Sequence, residues 1–468
     1  MGWKKTLLAL GIVALPRLLV FPFAENVAGD AVVRSWLAHA WLQHPHLIGS
    51  SLQGCAQFGP LHFPLIAFVE WLAGSEHLAG RLVSLLAGVL SALPVFAIAR
   101  RLFSERAAWS SVVVLALWPL HIQASTTAAS EAVSGAFVLV GVAAIARALE
   151  TRERELLLAA ALSFTLGAAI RYDVWLWIPL IAVLLWWQLG FRLAFLFGVV
   201  AASFPVAWLL GHLVDTGDLL YPVHVIDDYH RTWFVSESAI WGPTRYRFIV
   251  LLFWPLTALA TFTPVAALLG GRALVRSKIR WLVLLIVIPT LVLSLRGALL
   301  GSFVPLSRFT MKELSLFVIF VGVAISELRR PWLVLVTASL VAWIPLVELA
   351  ARADWRWANS FRAISALSLN DPHLREIVQS LRERASPSDV VAVDVDPRGF
   401  DDIQLAFECG LPFKQVGRKR AASFETVIAP GPRWLVLFDG GVLTPEFAGQ
   451  QWRAVARSGS ITLLELAR

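Results

Sequence analysis

Long apolar runs dominate the first 350 residues of the chain. Most have about the length that a bilayer-spanning helix needs, roughly 20 residues. The pattern predicts about eleven transmembrane helices, at residues 7–23, 78–100, 107–121, 127–147, 155–170, 173–189, 193–213, 247–270, 280–296, 309–327 and 331–350. Residues 61–73 are apolar but too few to cross a bilayer easily, so we expect a re-entrant segment or an interfacial helix in the first outer loop. The fold class predicted is an α-helical polytopic membrane protein.

The first apolar run begins like a signal peptide, with Lys4 and Lys5 ahead of it. Pro16 and Arg17 interrupt its core, and no small-residue cleavage site follows. We therefore expect an uncleaved first span.

The distribution of basic residues predicts the orientation of the spans. If the N-terminus is cytoplasmic, the dense basic clusters, such as Arg100-Arg101 and Arg329-Arg330, fall on the cytoplasmic side. The opposite connections are longer and acidic, among them the first connection and residues 214–246, and they are expected to be outer loops. We predict a multi-pass protein of the cell (inner) membrane whose functional site faces the periplasm or exterior.

The chain after residue 350 has a different pattern and holds 14 of the 32 acidic residues. Asp371-Pro372 predicts a helix start, and the helical pattern continues to Arg384. Short buried strands are predicted at 390–395, 434–438 and 461–466. We therefore predict two domains, a transmembrane domain at 1–350 and a small soluble α/β domain at 351–468. An odd number of spans places this second domain on the outer side.

Composition supports a membrane protein and excludes several functional classes. Hydrophobic residues make up 58% of the chain and charged residues 15%, with a mean hydropathy of +0.70. In soluble domains, about a quarter of the residues are charged. The net charge of +8 is explained by cytoplasmic Lys and Arg, so nucleic acid is not an expected partner. Two cysteines, Cys55 and Cys409, cannot build a disulfide framework or a thiolate metal site, and their spacing does not decide whether they form a bridge.

Ionisable residues at the outer ends of spans are the first candidates for function, because charge near a membrane is costly unless it faces a polar cavity. Asp30 lies directly before a helical pattern. It is either a helix N-cap, which its position suits, or a functional carboxylate. His62 follows a Gly59-Pro60 turn at the mouth of the short apolar segment. It is either a hydrogen-bonded interfacial residue or a binding or acid/base group.

A second set of candidates lies between the third and fifth spans. Glu131 is expected a turn inside the membrane, where an acid should pair with a cation or serve a site. Arg171, at the outer end of the fifth span, is a suitable partner. The sequence Arg171-Tyr172-Asp173 is either a structural ion-pair cluster or part of the site, and both alternatives stay open.

Two further features concern anions and metals. Arg308 begins a span from the outer side, where a guanidinium either holds a lipid phosphate bidentately or anchors the helix in the interface. Residues 215–231 contain enough Asp and His for a divalent cation. Their spacing matches no standard metal signature, so a solvated loop is favoured and a divalent cation stays an open alternative.

Several motifs occur in a fixed order along residues 5–330. They are Gly29-Asp30, Gly59-Pro60-Leu61-His62, Ala79-Gly80-Arg81, Ala99-Arg100-Arg101, Leu117-Trp118-Pro119-Leu120-His121, Arg171-Tyr172-Asp173-Val174-Trp175, Gly217-Asp218-Leu219-Leu220-Tyr221-Pro222 and Ser307-Arg308-Phe309. This order resembles the polyprenyl-phosphate-dependent glycosyltransferases of the GT-C superfamily. Within them, it is similar to the protein mannosyltransferase and aminoarabinose transferase type, glycosyltransferase family 39.

The resemblance implies a GT-C fold and the inverting transfer of a sugar from a polyprenyl-phosphate donor to a hydroxyl of an acceptor protein, lipid or glycan. Asp30 is then the general base. Arg308, followed by Arg171, is implied to stabilise the leaving phosphate. The remaining candidates are implied to orient donor or acceptor: His62, Glu131, Tyr172 and Asp173. The implied chemistry names no certain cofactor, and membrane lipids are expected partners.

Three positions depart from the family pattern and leave the sugar and the acceptor undetermined. Ala31 follows Asp30 where many relatives carry a second acid, Asp173 stands where Glu is usual, and Phe309 stands where Tyr is usual. The main alternative is a transporter or flippase of a lipid-linked or anionic substrate. Such a protein should carry charges near the bilayer midplane, whereas the acids here crowd the outer rim. A non-catalytic binding protein would not need eleven spans.

Overall fold

The structure, a computed structural model, describes residues 2–22, 24, 29–43, 45, 58–352, 372–386, 388–394, 413–416, 433–437 and 451–467. Up to residue 352 its elements are helices. The α-helices are α1 Trp3–Val20, α2 Gly29–Gln43, α3 His62–Ala73, α4 Glu76–Leu90, α5 Ala92–Leu102, α6 Glu105–Leu117, α7 Pro119–Thr126, α8 Ser130–Thr151, α9 Arg154–Ile170, α10 Trp177–Leu189, α11 Phe191–Ala201, α12 Ser203–Thr216, α13 Tyr221–Trp241, α14 Pro243–Leu251, α15 Phe253–Phe262, α16 Pro264–Arg276, α17 Arg280–Leu300, α18 Met311–Ser326 and α19 Arg330–Arg352. Short 3₁₀ helices precede α10 and α18, at Tyr172–Leu176 and Ser307–Thr310.

Many of these helices can cross a membrane by length and composition. In the described chain, five segments do so singly: Glu76–Leu102, Ser130–Thr151, Tyr172–Leu189, Arg280–Leu300 and Ser307–Ser326. Three pairs do so together but bend at a short break, α6 with α7 by 62°, α11 with α12 by 45° and α14 with α15 by 60°. The structure thus has five such spans, or eight if each bent pair is one span. The polytopic α-helical class is confirmed, whereas the number eleven stays a prediction.

The bend between α6 and α7 has a local cause. Pro119 has no N–H group, so the carbonyl of Leu115 loses its partner in the helix. The fully buried guanidinium of Arg17, on α1, donates to this carbonyl at 3.2 Å and to that of Ala116 at 3.5 Å. It also donates to Ser125 Oγ, on α7, at 3.1 Å. Arg17 therefore connects α1 to both sides of the bend.

Helix α18 is central to the membrane region. Of its apolar window, 89% is buried, and it packs against α6, α8, α16 and α17. Gly322 allows the close approach of α6, because a Cβ atom at this position would lie 2.1 Å from Ser111 Oγ. Helix α18 is consequently held within a closely packed core.

The short apolar segment forms a helix of its own. Helix α3 has 12 residues and ends at Gly74, which adopts a left-handed φ of +64°. Helix α4 begins at Glu76, and α2 packs against both α3 and α4. Residues 61–73 are thus shorter than a span, as predicted, and lie within a cluster of three helices.

Two sequence predictions are wrong. Residues 214–246 are not mainly a loop, because Tyr221–Trp241 forms helix α13. This segment contains many polar residues, and a count of polar residues alone suggests a loop. The count ignores the helical period with which they are spaced. The predicted span 247–270 is instead divided among α14, α15 and α16. One break lies at Thr263, whose φ is +73° and whose hydroxyl accepts the N–H of Ala266 at the start of α16.

The C-terminal part contains helix α20, Pro372–Arg384, and a five-stranded sheet in the order β2-β1-β3-β5-β4. Strand β1 pairs in parallel with β2 and β3, and β5 pairs antiparallel with β3 and β4. The strands are β1 Val391–Asp394, β2 Phe413–Val416, β3 Trp434–Leu437, β4 Trp452–Ser458 and β5 Ile461–Leu466. The predicted helix and three predicted strands are confirmed, whereas β2 and β4 were not predicted. Asp371, Cys55 and Cys409 lie outside the described residues.

Helix α20 covers one face of this sheet. Leu374, Ile377 and Leu381 recur with the helical period and pack against sheet residues such as Trp434. Trp36, on α2, packs against the same core. The α/β part therefore touches the helix that carries Asp30. A domain boundary at residue 350 and an outer location of this part stay predictions.

Candidate active site

Asp30 lies in the first turn of α2. Its carboxylate accepts a hydrogen bond from Arg308 Nη2 at 2.6 Å, which favours a functional carboxylate over a simple N-cap. Burial raises the pKa of Asp30, but the positive charges of Arg308, Arg34 and Arg171 outweigh this effect and hold the pKa below its usual range. The carboxylate is therefore ionised at neutral pH.

Arg308 bridges two carboxylates from different helices. It lies in the 3₁₀ helix Ser307–Thr310, directly before α18, and its side chain is 12% exposed. Besides the contact with Asp30, its Nε lies 3.6 Å from Glu131 Oε1. This distance is too long for a hydrogen bond, and within the described residues the Nε–H group has no hydrogen-bond partner. Arg308 thus has a donor available for a further acceptor.

Glu131 and Arg171 form the ion pair that the sequence suggested. Glu131 lies in the first turn of α8 with a side chain that is 2% exposed, and its Oε1 accepts a hydrogen bond from Arg171 Nη1 at 2.7 Å. Ser130 Oγ accepts from the same nitrogen at 3.1 Å. Arg171 directly follows α9.

The turn at Gly59 packs against the end of α9. A Cβ atom at Gly59 would lie 2.4 Å from the carbonyl oxygen of Ala169. This close approach explains why the turn carries glycine.

Asp173 extends the contacts to the first turn of α18. Its Oδ2 lies 3.2 Å from Arg171 Nη2 and 2.6 Å from Lys312 Nζ. Lys312 lies in the first turn of α18, and its side chain is fully buried. Sequence analysis missed Lys312, although its position four residues after Arg308 is the spacing that places two side chains on one helix face.

Six residues form what we call the ion-pair network: Asp30, Arg308, Glu131, Arg171, Asp173 and Lys312. Its three carboxylates and three cations balance. Arg34, one turn after Asp30 on α2 and 3% exposed, adds a further positive charge. Its guanidinium lies over the Phe58 ring at 4.1 Å, and its Nη1 is buried without a hydrogen-bond partner among the described residues. Sequence analysis also missed Arg34, which follows Asp30 by four residues.

An aromatic ring supports the two arginines of the network. The guanidinium carbons of Arg171 and Arg308 lie 5.0 and 5.3 Å from the centre of the Phe309 ring. Such cation–π contacts hold guanidinium groups without using their N–H donors. The site therefore combines a surplus positive charge with unused donors, which suits the binding of an anion.

The two other predicted residues differ in their surroundings. His62, at the start of α3, is fully buried, and within the described chain neither ring nitrogen has a hydrogen-bond partner. Burial lowers the pKa of His62, and the charges of Arg34 and Arg171 lower it further, so the ring is neutral at pH 7. Tyr172 has scaffold contacts, because its hydroxyl donates to the Phe58 carbonyl at 3.2 Å and accepts from an indole N–H of α12.

The Asp- and His-rich segment 215–231 does not converge on one point. Asp218 lies 2.7 Å from His224, in an exposed pair, and Asp227 pairs with Arg296. His230 Nδ1 instead lies 3.0 Å from a backbone carbonyl. Over the part of this segment that the structure describes, no three of these groups could share one metal ion.

Comparison with known proteins agrees with the fold. Residues 57–210 match the family model described as dolichyl-phosphate-mannose-protein mannosyltransferase. A sequence comparison with curated proteins finds no match.

Solved structures extend the likeness over the whole chain. ArnT from Cupriavidus metallidurans in the apo state is 15% identical with a TM-score of 0.66, over 98% of this chain and 97% of that one. The same protein bound to undecaprenyl phosphate is 14% identical with a TM-score of 0.66, over 99% and 98%. The oligosaccharyltransferase of Archaeoglobus fulgidus, in complex with Zn and sulfate, is 15% identical with a TM-score of 0.55, over 88% and 62%. The chain thus shares the fold of ArnT along its whole length, and residues 57–210 resemble the dolichyl-phosphate-mannose-protein mannosyltransferase family.

Proposed function

We propose that the chain transfers a sugar from a polyprenyl-phosphate donor to an acceptor hydroxyl at the outer face of the membrane, with inversion and with Asp30 as general base. The observation that carries the proposal is the direct contact between the ionised Asp30 and Arg308, an arginine with an unused N–H donor. The reaction needs a base for the acceptor hydroxyl and a positive charge for the phosphate that leaves the donor sugar. The likeness to ArnT bound to undecaprenyl phosphate supports this class of donor.

The donor phosphate binds to Arg308 and Arg34. Both side chains are almost fully buried, and each has a nitrogen without a hydrogen-bond partner in the described structure. The carboxylates and cations of the network balance each other, so the positive charge of Arg34 is left over for the phosphate. In a site of low dielectric, fixed guanidinium groups stabilise a leaving phosphate more strongly than the same groups would in water.

The transfer is a single displacement. The acceptor oxygen attacks the anomeric carbon from the face opposite the phosphate, and the bond between this carbon and the phosphate oxygen breaks. The electron pair of that bond leaves with the phosphate, and Asp30 takes the hydroxyl proton. The products are a glycoside of inverted configuration and a polyprenyl phosphate.

Donor binding and base strength are connected through Arg308. In the described structure, Arg308 donates to Asp30 and lowers its pKa. A bound phosphate competes for the same guanidinium, so Asp30 loses part of this stabilisation and becomes a stronger base. The carboxylate is thereby activated when a donor is present.

The other predicted residues position these groups. Glu131 holds Arg171 and Arg308 from α8, and Asp173 holds Arg171 and Lys312 at the outer end of α18. His62 is a neutral group with two unused nitrogens, so it orients a sugar or acceptor hydroxyl. Tyr172 acts through the scaffold.

Location and acceptor belong to the same proposal. The site faces the outer side of the cell (inner) membrane, and the α/β domain at 351–468 lies on that side next to the acceptor, which is a protein, a lipid or a glycan. The contact of Trp36 with the core of the α/β part supports this placement, because α2 also carries Asp30.

The proposal is tested by sugar transfer from a panel of radiolabelled polyprenyl-phosphate sugars, with the purified protein in lipid and crude membrane acceptors. Wild type is compared with Asp30→Asn and with Asp228→Asn. Asp228 is an exposed carboxylate on α13, so its replacement is a matched control. We expect transfer by wild type and Asp228→Asn and a loss of about 10²- to 10⁴-fold in Asp30→Asn, the range for removal of a general base.

Other outcomes would change the conclusion. Full activity of Asp30→Asn would remove Asp30 as the base. If wild type consumes no donor, we would instead measure movement of a fluorescent polyprenyl phosphate across vesicles, which tests a transporter or flippase.

A further inference from the structure

A second polar cluster lies at the other end of α2. His39, Glu70 and Glu76 come from three helices, α2, α3 and α4, which pack together around a small apolar core. Glu70 lies one turn before the end of α3, and Glu76 is the first residue of α4. The left-handed turn at Gly74 between them brings the two carboxylates to the same side as His39.

The atoms of this cluster lie close enough together to share one metal ion. His39 Nδ1 lies 3.2 Å from Glu76 Oε2, and one ligand atom from each of the three residues lies within 4.8 Å of the others. A tetrahedral Zn²⁺ with bonds of about 2.0–2.1 Å has neighbouring ligand atoms roughly 3.3 Å apart. The 2.5 Å between His39 Nδ1 and Glu70 Oε1 is a hydrogen-bond distance, so these two atoms would have to separate when an ion binds. Among the described residues, this is the place where ligand atoms of three His, Cys, Asp or Glu side chains lie within 4.8 Å of one another.

The two carboxylates provide independent evidence of a ligand. The Glu70 side chain is 7% exposed, and its Oε2 is buried without a hydrogen-bond partner among the described residues. An ionised carboxylate with an unpaired buried oxygen is costly unless a further cation neutralises it. Glu76 Oε1 lies 3.3 Å from His77 Nε2, the type of outer contact that orients a ligating carboxylate.

We propose that His39, Glu70 and Glu76 bind a divalent transition metal of the Zn²⁺ type, with water at the fourth position. One imidazole nitrogen and two carboxylate oxygens form a ligand set that Zn²⁺ accepts. The proposal does not depend on the glycosyltransferase activity.

The position of the site indicates a structural role. The metal would fasten α2 to α3 and α4, and α2 carries Asp30 and Arg34 at its other end. Binding to the folded state raises stability, because the three ligands do not converge in an unfolded chain. The site thus holds the helix that presents the proposed base, without contacting substrate.

The test measures metal binding directly. The full-length protein is stripped with chelator and dialysed against Zn²⁺, and its metal content and thermal unfolding midpoint are compared with those of His39→Ala and Glu70→Gln. His224→Ala serves as the control, because His224 pairs with a single carboxylate, Asp218, at a comparable distance. We expect one Zn²⁺ per chain and a raised midpoint for wild type and control. We expect at least tenfold weaker binding in the other two variants.

A variant that fails to fold is recognised by its size-exclusion profile, and Co²⁺ provides a second readout in that case. Co²⁺ bound to the wild type should show a visible absorption band that Zn²⁺ displaces. If stripped wild type binds no stoichiometric Zn²⁺ or Co²⁺, or if Glu70→Gln binds as tightly as wild type, the cluster is an ordinary hydrogen-bonded group and not a metal site. Neither result bears on sugar transfer, so a failure here is distinguishable from a failure of the proposed function.

Discussion

Two buried arginines show how the same side chain takes different roles in this protein. Arg17, in the membrane region, donates to backbone carbonyls of α1 and α6 and to Ser125, and it contacts His121. Arg308, directly before α18, pairs with carboxylates, and its Nε–H group has no hydrogen-bond partner among the described residues. Arg17 thus completes the scaffold, whereas Arg308 is available to a ligand.

The comparison separates burial from function. Arg17 is fully buried and Arg308 is slightly exposed, so burial alone would rank Arg17 as the more unusual residue. What distinguishes Arg308 is its contact with carboxylates and an N–H donor that has no hydrogen-bond partner among the described residues. Charged groups in a membrane protein are therefore better judged by their remaining hydrogen-bond capacity.

Of the variants that separate the two arginines, Arg308→Gln should have the largest effect on transfer. Removing the charge that stabilises the leaving phosphate should lower the transfer rate by about 10²- to 10³-fold, the range for loss of one donor that stabilises transition-state charge. Rates are measured at saturating donor, with Asp228→Asn as control. A rate within threefold of wild type would show that Arg308 only anchors the helix.

Arg17→Met should lower stability and leave the transfer rate almost unchanged. It leaves the carbonyls of Leu115 and Ala116 without their donor, and each unsatisfied buried group costs about 1–3 kcal/mol. The thermal unfolding midpoint in detergent should fall clearly, while the transfer rate per folded molecule stays close to that of wild type. A loss of turnover in a normally stable variant would contradict the scaffold role.

A smaller effect is expected for Lys312→Met. Asp173 keeps its contact with Arg171, so the network loosens without losing its anion-binding groups. We expect the transfer rate to fall by about tenfold, less than in Arg308→Gln. The variant only shifts the positions of Asp173 and Arg171, whereas Arg308→Gln removes a stabilising charge. Both variants are assayed side by side. Equal losses would place Lys312 in direct contact with the phosphate.

The smallest effect concerns pH. Asp30 must be ionised to accept a proton, so kcat/KM should fall as pH drops through the pKa of Asp30 in the free enzyme, below its usual 3.8. Arg34→Gln removes one of the positive charges that lower this pKa. The acid limb of the kcat/KM profile should therefore move to higher pH. An unchanged acid limb would show that Arg34 does not act on Asp30.

The site could be predicted from sequence only in part. Span ends and the family resemblance identified Asp30, Glu131, Arg171, Asp173 and Arg308, which the structure brings into one network. Lys312 and Arg34 were missed, although each follows a predicted residue by one helical turn.

Features that depend on tertiary packing could not be predicted from the sequence. The meeting of His39, Glu70 and Glu76 requires three helices to pack in one particular arrangement, and no spacing rule encodes it. Helix α13 was taken for a loop because its polar residues obscure its period. Apolar runs predicted the helices of the membrane region, but neither the bend at Pro119 nor the helix break at Thr263.

The most direct test of the central claim measures phosphate binding and sugar transfer in the same variant. Asp30→Asn removes the carboxylate that occupies Arg308, while Arg308 and Arg34 remain. The account predicts that purified Asp30→Asn binds undecaprenyl phosphate at least as tightly as wild type but transfers sugar about 10²- to 10⁴-fold more slowly. Transfer at the wild-type rate, or weaker binding of the lipid phosphate, would contradict it.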